Sequence, residues 1–428
     1  MTGKHSNVIL VAILIGLLCA ALFVFGGSRI LPRDLFVTLL GVCDVLGQFF
    51  LLGLRMIIVP LVMASVVMGI TSLGDVRKIG GIGLRTLGFY AATTALAVAL
   101  GVLIVTLLQP GAGMGDLVTA GLHIDEQRMA DIRAKEDIGF GDLLLSFLSR
   151  NIVESLASGD MLPVIVFSLI LGAILTTLGE RGKPLIACFD GLNEAMMKFI
   201  GLVLWIAPVG IFGLVSAKFG AATIEEGGLG RMIGSVGKYS ATILIALGIH
   251  GFVTLPLLCA FLARRNPLKY AGHMMPALLT AWSTATSSGT LPVTMECAEE
   301  RAGVDPRAAG FVLPLGATIN MDGTALYEAV AVIFIAQAYG IDLTFVQLLV
   351  VFVTATLASI GAAGVPQAGL VMMVIVLNAV GLPVEGIGLI LAVDWFLDRF
   401  RTAINVWGDS IGAAYIDGRL RNVGPGIR

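Results

Sequence analysis

The chain has 428 residues, 57% of them hydrophobic and only 13% charged, and its mean hydropathy is +0.96. A soluble domain carries about 25% charged residues, so this composition reads as an integral membrane protein. A formal net charge of −2 argues against nucleic acid as a partner.

The first apolar run, from residue 8 to about residue 27, is long enough to span a bilayer. No small-residue cleavage pattern follows it, so it reads as a first transmembrane helix rather than a removed signal peptide. Further apolar segments lie at 46–72, 84–108, 160–179, 194–216 and 239–263. Arg77, Lys78, Arg85, Arg181, Lys183, Arg264, Arg265, Lys269, Arg419, Arg421 and Arg428 all fall on one side if both termini are cytoplasmic. The loop at 116–137 and the glycine-rich turn at 225–230 then lie outside. Lys218, Arg231 and Lys238 weaken that orientation without reversing it. No Asn-x-Ser/Thr sequon occurs, which with the short tails favours a bacterial inner membrane. The five cysteines and four histidines are scattered without metal-ligand spacing and read as packing residues.

The C-terminal third departs from plain spans. The apolar stretch 274–295 is interrupted by WSTATSSGTLP (282–292), and 346–380 is interrupted by SIGAAGVPQAG (359–369). Both interruptions carry a proline and at least one glycine, which break helices, and neither suits lipid. Each is followed by a span with its own polar segment: NMDGT (320–324) after the first, DWFLDRFRTAINVWGD (394–409) after the second. The unit "broken hairpin, then polar helix" occurs twice, entered from opposite sides. Inverted repeats with discontinuous helices at mid-membrane are the signature of a secondary transporter.

In the last segment Asp394, Asp398, Arg401, Asn405 and Asp409 recur every three or four residues and share one helix face. Charges inside membrane helices are expensive and mark functional sites, so the stripe is expected to face a polar cavity. Arg401 can grip a carboxylate bidentately, and Asp398 suits an ammonium group. Hairpin tips offer N–H and hydroxyl donors to a second carboxylate: Thr286, Ser287 and Ser288 at the first, Val365, Gln367 and Gly369 at the second. Together they describe an acidic amino acid. A plain Asp398–Arg401 pair would leave the surplus acids unexplained. Asp322, Asp394 and Asp409, set among Asn320, Gly323 and Gly408, suit a monovalent cation such as Na⁺, Asp394 being the weakest of the three. Glu328 lies one turn beyond Thr324 in an apolar helix. A carboxyl without a cation is tolerated there only as the neutral acid, which makes it a candidate proton carrier.

SSGTLP, NMDGTALYE, ASIGAAGVPQAG and the segment 394–409 resemble the glutamate/aspartate transporter family, the dicarboxylate/amino acid:cation symporters. The stretches 56–75 and 160–172 are similar to it as well. The resemblance implies an all-α polytopic membrane protein with eight transmembrane helices, two re-entrant helical hairpins with inverted repeats, and a homotrimer. Scaffold helices would occupy 1–72 and 137–220. A transport domain would comprise 78–110, 232–263, the hairpins 267–300 and 345–379, and helices at 306–339 and 383–418, moving as an elevator with the second hairpin as gate. By the same resemblance Asp398 binds the substrate amine, Arg401 and Thr324 the side-chain carboxylate, and Asn405 the α-carboxylate with the Ser287 region. Thr286, Ser288, Val365, Gly369 and Thr402 complete that site. One Na⁺ would lie at Gly316, Asn320, Asn405 and Asp409. A second would lie at Thr318, Met321, Ser359 and Ile360, and a third at Tyr90, Thr93, Thr94, Asn320 and Asp322. Glu328 would carry the proton.

Archaeal members carry an arginine where this chain has Ala285; here Arg399 stands in the last helix, as in the animal transporters. The expectation is therefore a non-enzymatic importer of L-glutamate or L-aspartate, coupled to Na⁺ and H⁺ with K⁺ as candidate counter-ion and no other cofactor. A purely H⁺-driven glutamate/aspartate or C4-dicarboxylate symporter is the alternative. An intramembrane aspartyl protease is a remote one, since it needs two facing carboxylates and gives Arg401 and the hairpins no role.

Overall fold

The computed structural model describes residues 3–72, 81–115, 141, 145–224, 227–360 and 368–422. Among them every regular element is helical. Among the described residues six helical stretches are long and apolar enough to cross a membrane, one of them, Pro306–Ala338, opened midway. In chain order the helices are α1 (Gly3–Leu22, continued by a π turn to Ile30), α2 (Arg33–Thr71), α3 (Gly81–Leu108), α4 (Ile152–Ser158), α5 (Met161–Thr177) and α6 (Lys183–Ala221). Next come α7 (Gly228–Phe261, with a π turn at His250–Thr254), α8 (Pro267–Thr284), α9 (Ser287–Glu296), α10 (Pro306–Ile319) and α11 (Asp322–Ala338). The chain closes with α12 (Phe345–Ile360), α13 (Ala368–Ala379) and α14 (Ile387–Asn422). The segments expected at 46–72 and 194–216 are parts of helices 39 residues long, because amphipathic turns extend each apolar run at its N-terminal end.

α2 and α6 pack closely, with α1 and α5 against them. The approach depends on glycine: a methyl at Gly213 would lie 2.5 Å from the Cys43 carbonyl oxygen. Lys218, expected to bear on the charge of a loop, is instead buried inside α6. Its stem runs past Gly388, where an added Cβ would lie 3.2 Å from Lys218 Cγ. α11 is hydrophobic all round and almost wholly buried. It is ringed by α3, α7, α12, α13 and α14, the arrangement that such a helix requires.

The first hairpin breaks more sharply than its sequence implies. α8 runs through Thr284, Ala285 adopts a left-handed conformation (φ 50°, ψ 37°), and α9 begins at Ser287. Gly289 and Pro292, expected to break the helix, lie inside α9. Pro292 is the sixth residue of α9, so its ring removes the N–H that would bond Ser288 O, while the Thr286 side chain caps the helix start by accepting from Gly289 N at 3.1 Å. In the second hairpin Ser359 and Ile360 are still helical and Gly369 already is. Val365 and Gln367 lie outside the described residues, as do Arg77, Lys78, Arg428, Glu225 and the 116–137 loop. Between α10 and α11 the helix opens at Asn320 (φ −102°, ψ 89°) and Met321 (φ −118°, ψ 60°). Backbone groups are thereby freed beside the α14 stripe.

Candidate functional site

The stripe is buried in protein. Asp394, Asp398, Arg401, Thr402, Asn405 and Asp409 are all less than a tenth exposed. Arg401 is fully buried, and its Nη2 lies 2.8 Å from Asp398 Oδ1 and 3.0 Å from Asp394 Oδ1. Its guanidinium carbon sits 3.7 Å from the centroid of the Tyr327 ring on α11, a contact that holds the planar cation in place. Nε and Nη1 have no hydrogen-bond partner among the described residues. A Cβ at Gly369 would lie 2.8 Å from that Nη1 and 3.5 Å from Thr324 Cγ2. One edge of the guanidinium therefore neutralises two aspartates, and the other faces α13 and Thr324.

Asn405 ties α14 to the opened segment. Its Oδ1 accepts from Gly323 N at 2.8 Å, and its Nδ2 donates to Thr324 Oγ1 at 3.1 Å. Thr402 Oγ1 donates to the Asp398 carbonyl at 2.8 Å. At the first hairpin tip Ser287 is buried, Thr286 half-buried and Ser288 exposed. Arg399, on another face of α14, donates to the carbonyls of Trp282 (3.2 Å) and Ser283 (2.7 Å). It thus caps the C-terminal end of α8, where carbonyls lack helical donors.

A second polar cluster lies one layer away. Asn320 Nδ2 donates to Asp409 Oδ1 at 2.9 Å. A Cβ at Gly316 would collide with that same oxygen and lie 2.7 Å from the Tyr90 hydroxyl. Tyr90 donates to the Val312 carbonyl at 2.8 Å. Asp322 Oδ1 accepts from Thr94 Oγ1 at 2.8 Å and from Thr93 Oγ1 at 3.2 Å, and Thr93 also reaches Asn320 Oδ1 at 3.3 Å. Carboxylates, an amide oxygen, hydroxyls and nearby opened backbone form a hard, all-oxygen donor set. The structure thus brings together Tyr90, Thr93, Thr94, Gly316, Asn320, Asp322 and Asp409, with Asn405 one helical turn from Asp409.

The remaining group is looser. Met321 and Ser359 are buried, but the exposed Thr318 bonds Leu315 O at 2.9 Å and Ser359 bonds Thr356 O at 2.8 Å, each within its own helix. Among the described residues no hydrogen bond joins Thr318 and Met321 to Ser359, although α10 touches α12. Ile360 is the last residue of α12. Glu328 is fully buried on α11, and neither of its oxygens has a hydrogen-bond partner among the described residues.

Three participants escape the sequence reading. His250, treated there as one of four scattered histidines, is fully buried with Nε2 3.3 Å from Asp322 Oδ2. Its signal was available, since an ionisable side chain within an apolar span is a functional candidate. Tyr327 stacks on Arg401 and carries no such mark. Arg55 of α2 pairs with Glu385, in the turn before α14, at 2.9 Å.

A model of the sodium:dicarboxylate symporter family matches residues 6–419. The chain belongs to that family. It is similar to excitatory amino acid transporter 1 of Ambystoma tigrinum, 40% identical over 424 residues that cover 87% of this chain and 76% of that protein. Excitatory amino acid transporter 3 of Homo sapiens is 40% identical over 414 residues, covering 87% and 78% of the two chains. A putative sodium-dependent excitatory amino acid transporter of Caenorhabditis elegans is 40% identical over 417 residues, covering 87% and 81%. In this symporter family member the two polar clusters lie within the matched region, as do both hairpins.

Proposed function

We propose that the protein is a secondary active transporter that imports an acidic amino acid, L-glutamate or L-aspartate, by symport with Na⁺ and H⁺. The observation that carries the reading is the buried Arg401, flanked by Asp394 and Asp398 and presenting its other edge to Thr324 and Gly369. That edge suits the side-chain carboxylate, for which a guanidinium fork is the natural partner. Asp398 takes the ammonium group, leaving Arg401 held by Asp394. Asn405, Thr402 and the tip residues Thr286, Ser287, Ser288 and Val365 receive the α-carboxylate end.

The oxygen cluster supplies the sodium sites. Gly316, Asn320, Asn405 and Asp409 hold one ion, and Tyr90, Thr93, Thr94, Asn320 and Asp322 another. A third lies between the second hairpin (Ser359, Ile360) and Thr318 and Met321. Glu328 carries the proton, and K⁺ is the candidate for the returning step. The relatives' names, excitatory amino acid transporters with one called sodium-dependent, support substrate class and coupling ion together.

In this reading eight spans and two re-entrant hairpins form each protomer of a homotrimer in the inner membrane, with both termini cytoplasmic. The scaffold comprises α1, α2, α4, α5 and α6, and the rest moves as an elevator. No enzymatic step is assigned. Asp409 is engaged by Asn320, and Asp322 by Thr94 and His250, so the facing pair that an aspartyl protease needs finds no support.

The test is uptake of labelled L-aspartate, L-glutamate and succinate into proteoliposomes under separately imposed Na⁺, H⁺ and K⁺ gradients. Sodium-dependent accumulation of the amino acids over succinate is expected. Full uptake after complete sodium removal would establish the H⁺-driven alternative instead.

A further inference from the structure

α7 changes winding at one place, and that place aims His250 at Asp322. The π turn His250–Thr254 inserts an extra residue into the helix, a local defect that is costly and recurs at functional sites. Its hydrogen-bond accounting leaves one carbonyl short. The Leu255 N–H, which an α-helix would offer to Gly251 O, bonds to His250 O instead. The next residue that a π pattern would use is Pro256, which has no N–H. Gly251 is buried, and a Cβ there would run into Ile404 Cδ1 of α14. Water therefore has little access, and a buried carbonyl without a donor is destabilising.

The missing donor comes from α14. Trp407, only 5% exposed, gives its indole N–H to Gly251 O at 3.2 Å. The residue before that carbonyl is His250, whose Nε2 lies 3.3 Å from Asp322 Oδ2. The other oxygen of Asp322 accepts from Thr93 and Thr94. The chain of contacts therefore runs from Trp407 through the stranded carbonyl to the imidazole and the carboxylate. Its position in sequence is telling as well: Trp407 lies midway between Asn405 and Asp409, on a different face of α14 from either.

We infer that Trp407 is a positioning residue for cation binding: its indole N–H satisfies the carbonyl stranded by the π turn and so holds His250 against Asp322. This rests on the reading of Asp322 as part of a sodium site. Trp407 touches neither substrate nor ion. It acts through the winding of α7, and its loss lets the turn relax toward an ordinary helix and rotates His250 away from the carboxylate.

The test uses the full-length protein in proteoliposomes and reads three quantities: the half-saturating sodium concentration, the substrate KM at saturating sodium, and the maximal rate. Trp407→Phe keeps a ring but removes the donor. It is expected to raise the half-saturating sodium concentration by about fivefold or more, the effect of one buried hydrogen bond, with KM at saturating sodium within about twofold. Pro256→Ala in the same variant restores a backbone N–H at the position a π turn can use. It is expected to recover most of the sodium affinity, which a loss of packing would not allow. If Trp407→Phe does not accumulate in the membrane, benzothienylalanine at 407 replaces the N–H by sulfur at the same shape and is expected to give the same shift. Unchanged sodium dependence in either donor-less variant overturns the inference. So does a loss that Pro256→Ala leaves untouched. Asp322→Asn is the separate control: if it leaves sodium dependence unaltered, the sodium assignment of Asp322 fails, whatever Trp407 does.

Discussion

Arg401→Cys tests the substrate site most directly. The native guanidinium is fully buried, lies within 3.0 Å of two aspartates and stacks on Tyr327 at 3.7 Å. Removing one partner of a buried ion pair costs about 3–5 kcal/mol, because the other charge is left without compensation. Here the variant must accommodate two stranded carboxylates and then an incoming third. With about 1.4 kcal/mol per tenfold, aspartate affinity is expected to fall by about a hundredfold to a few thousandfold. A neutral amino acid brings an ammonium group for Asp398 and no second carboxylate, so its affinity relative to aspartate is expected to rise. The assay is competition of unlabelled aspartate, glutamate, serine and alanine against a bound fluorescent or radiolabelled substrate at saturating sodium. Thermal unfolding of the same sample checks that the variant is intact. Aspartate affinity within tenfold of the native protein, in a folded variant, would refute the role given to Arg401.

Glu328→Gln is expected to abolish uptake driven by an imposed pH gradient while exchange of internal for external substrate persists; unchanged proton coupling would remove Glu328 from the mechanism. Thr94→Val deletes the 2.8 Å hydrogen bond to Asp322, and since bonds to charged groups contribute about 1.5–3 kcal/mol, the half-saturating sodium concentration should rise about tenfold, read by sodium titration of uptake. Arg55→Met and Glu385→Gln break the 2.9 Å pair between α2 and the turn before α14, which touches no proposed ligand. Both should change the exchange rate at saturation with affinities within about twofold, and combining them should add little beyond either alone; additive effects would show that the two side chains act independently.

Much of this arrangement was legible in the sequence, for identifiable reasons. The α14 stripe was readable because helical spacing alone places Asp394, Asp398, Arg401, Asn405 and Asp409 on one face, and charges at that depth are too costly to be incidental. The break at Asn320 and Met321 was readable because NMDGT interrupts an apolar run. Other features depend on tertiary contact. His250 and Asp322 are 72 residues apart, and what joins them is a change in helix winding that no periodicity reports. The first hairpin turns on Ala285 rather than on its glycine or proline, since the left-handed residue ends α8 and the Thr286 cap starts α9 directly after it. Lys218 counts against the orientation in the sequence because it lies just beyond the apolar run 194–216. Burial against Gly388, more than 150 residues away in sequence, decides its position.

The count of buried charges then constrains how the two clusters work together. Around the two clusters Asp322, Glu328, Asp394, Asp398 and Asp409 are all buried, with Arg401 and His250 buried beside them among the described residues. An anionic substrate entering such surroundings adds to an excess of acid that a single arginine does not neutralise. In the proposed reading, cations in the oxygen cluster and a proton on Glu328 would balance it, and Asn405 links the two clusters, bonding Gly323 and Thr324 while lying one turn from Asp409. Substrate and sodium must therefore bind with positive coupling, and linkage makes the coupling reciprocal: the factor by which saturating sodium raises aspartate affinity equals the factor by which saturating aspartate raises sodium affinity. Equality holds for any pair of ligands, so the size of the factor is what decides: a site in which Asn405 and Arg401 merely stabilised the fold would give a factor near one. Sodium and aspartate titrations of the same sample, each run with and without the other ligand, measure both factors.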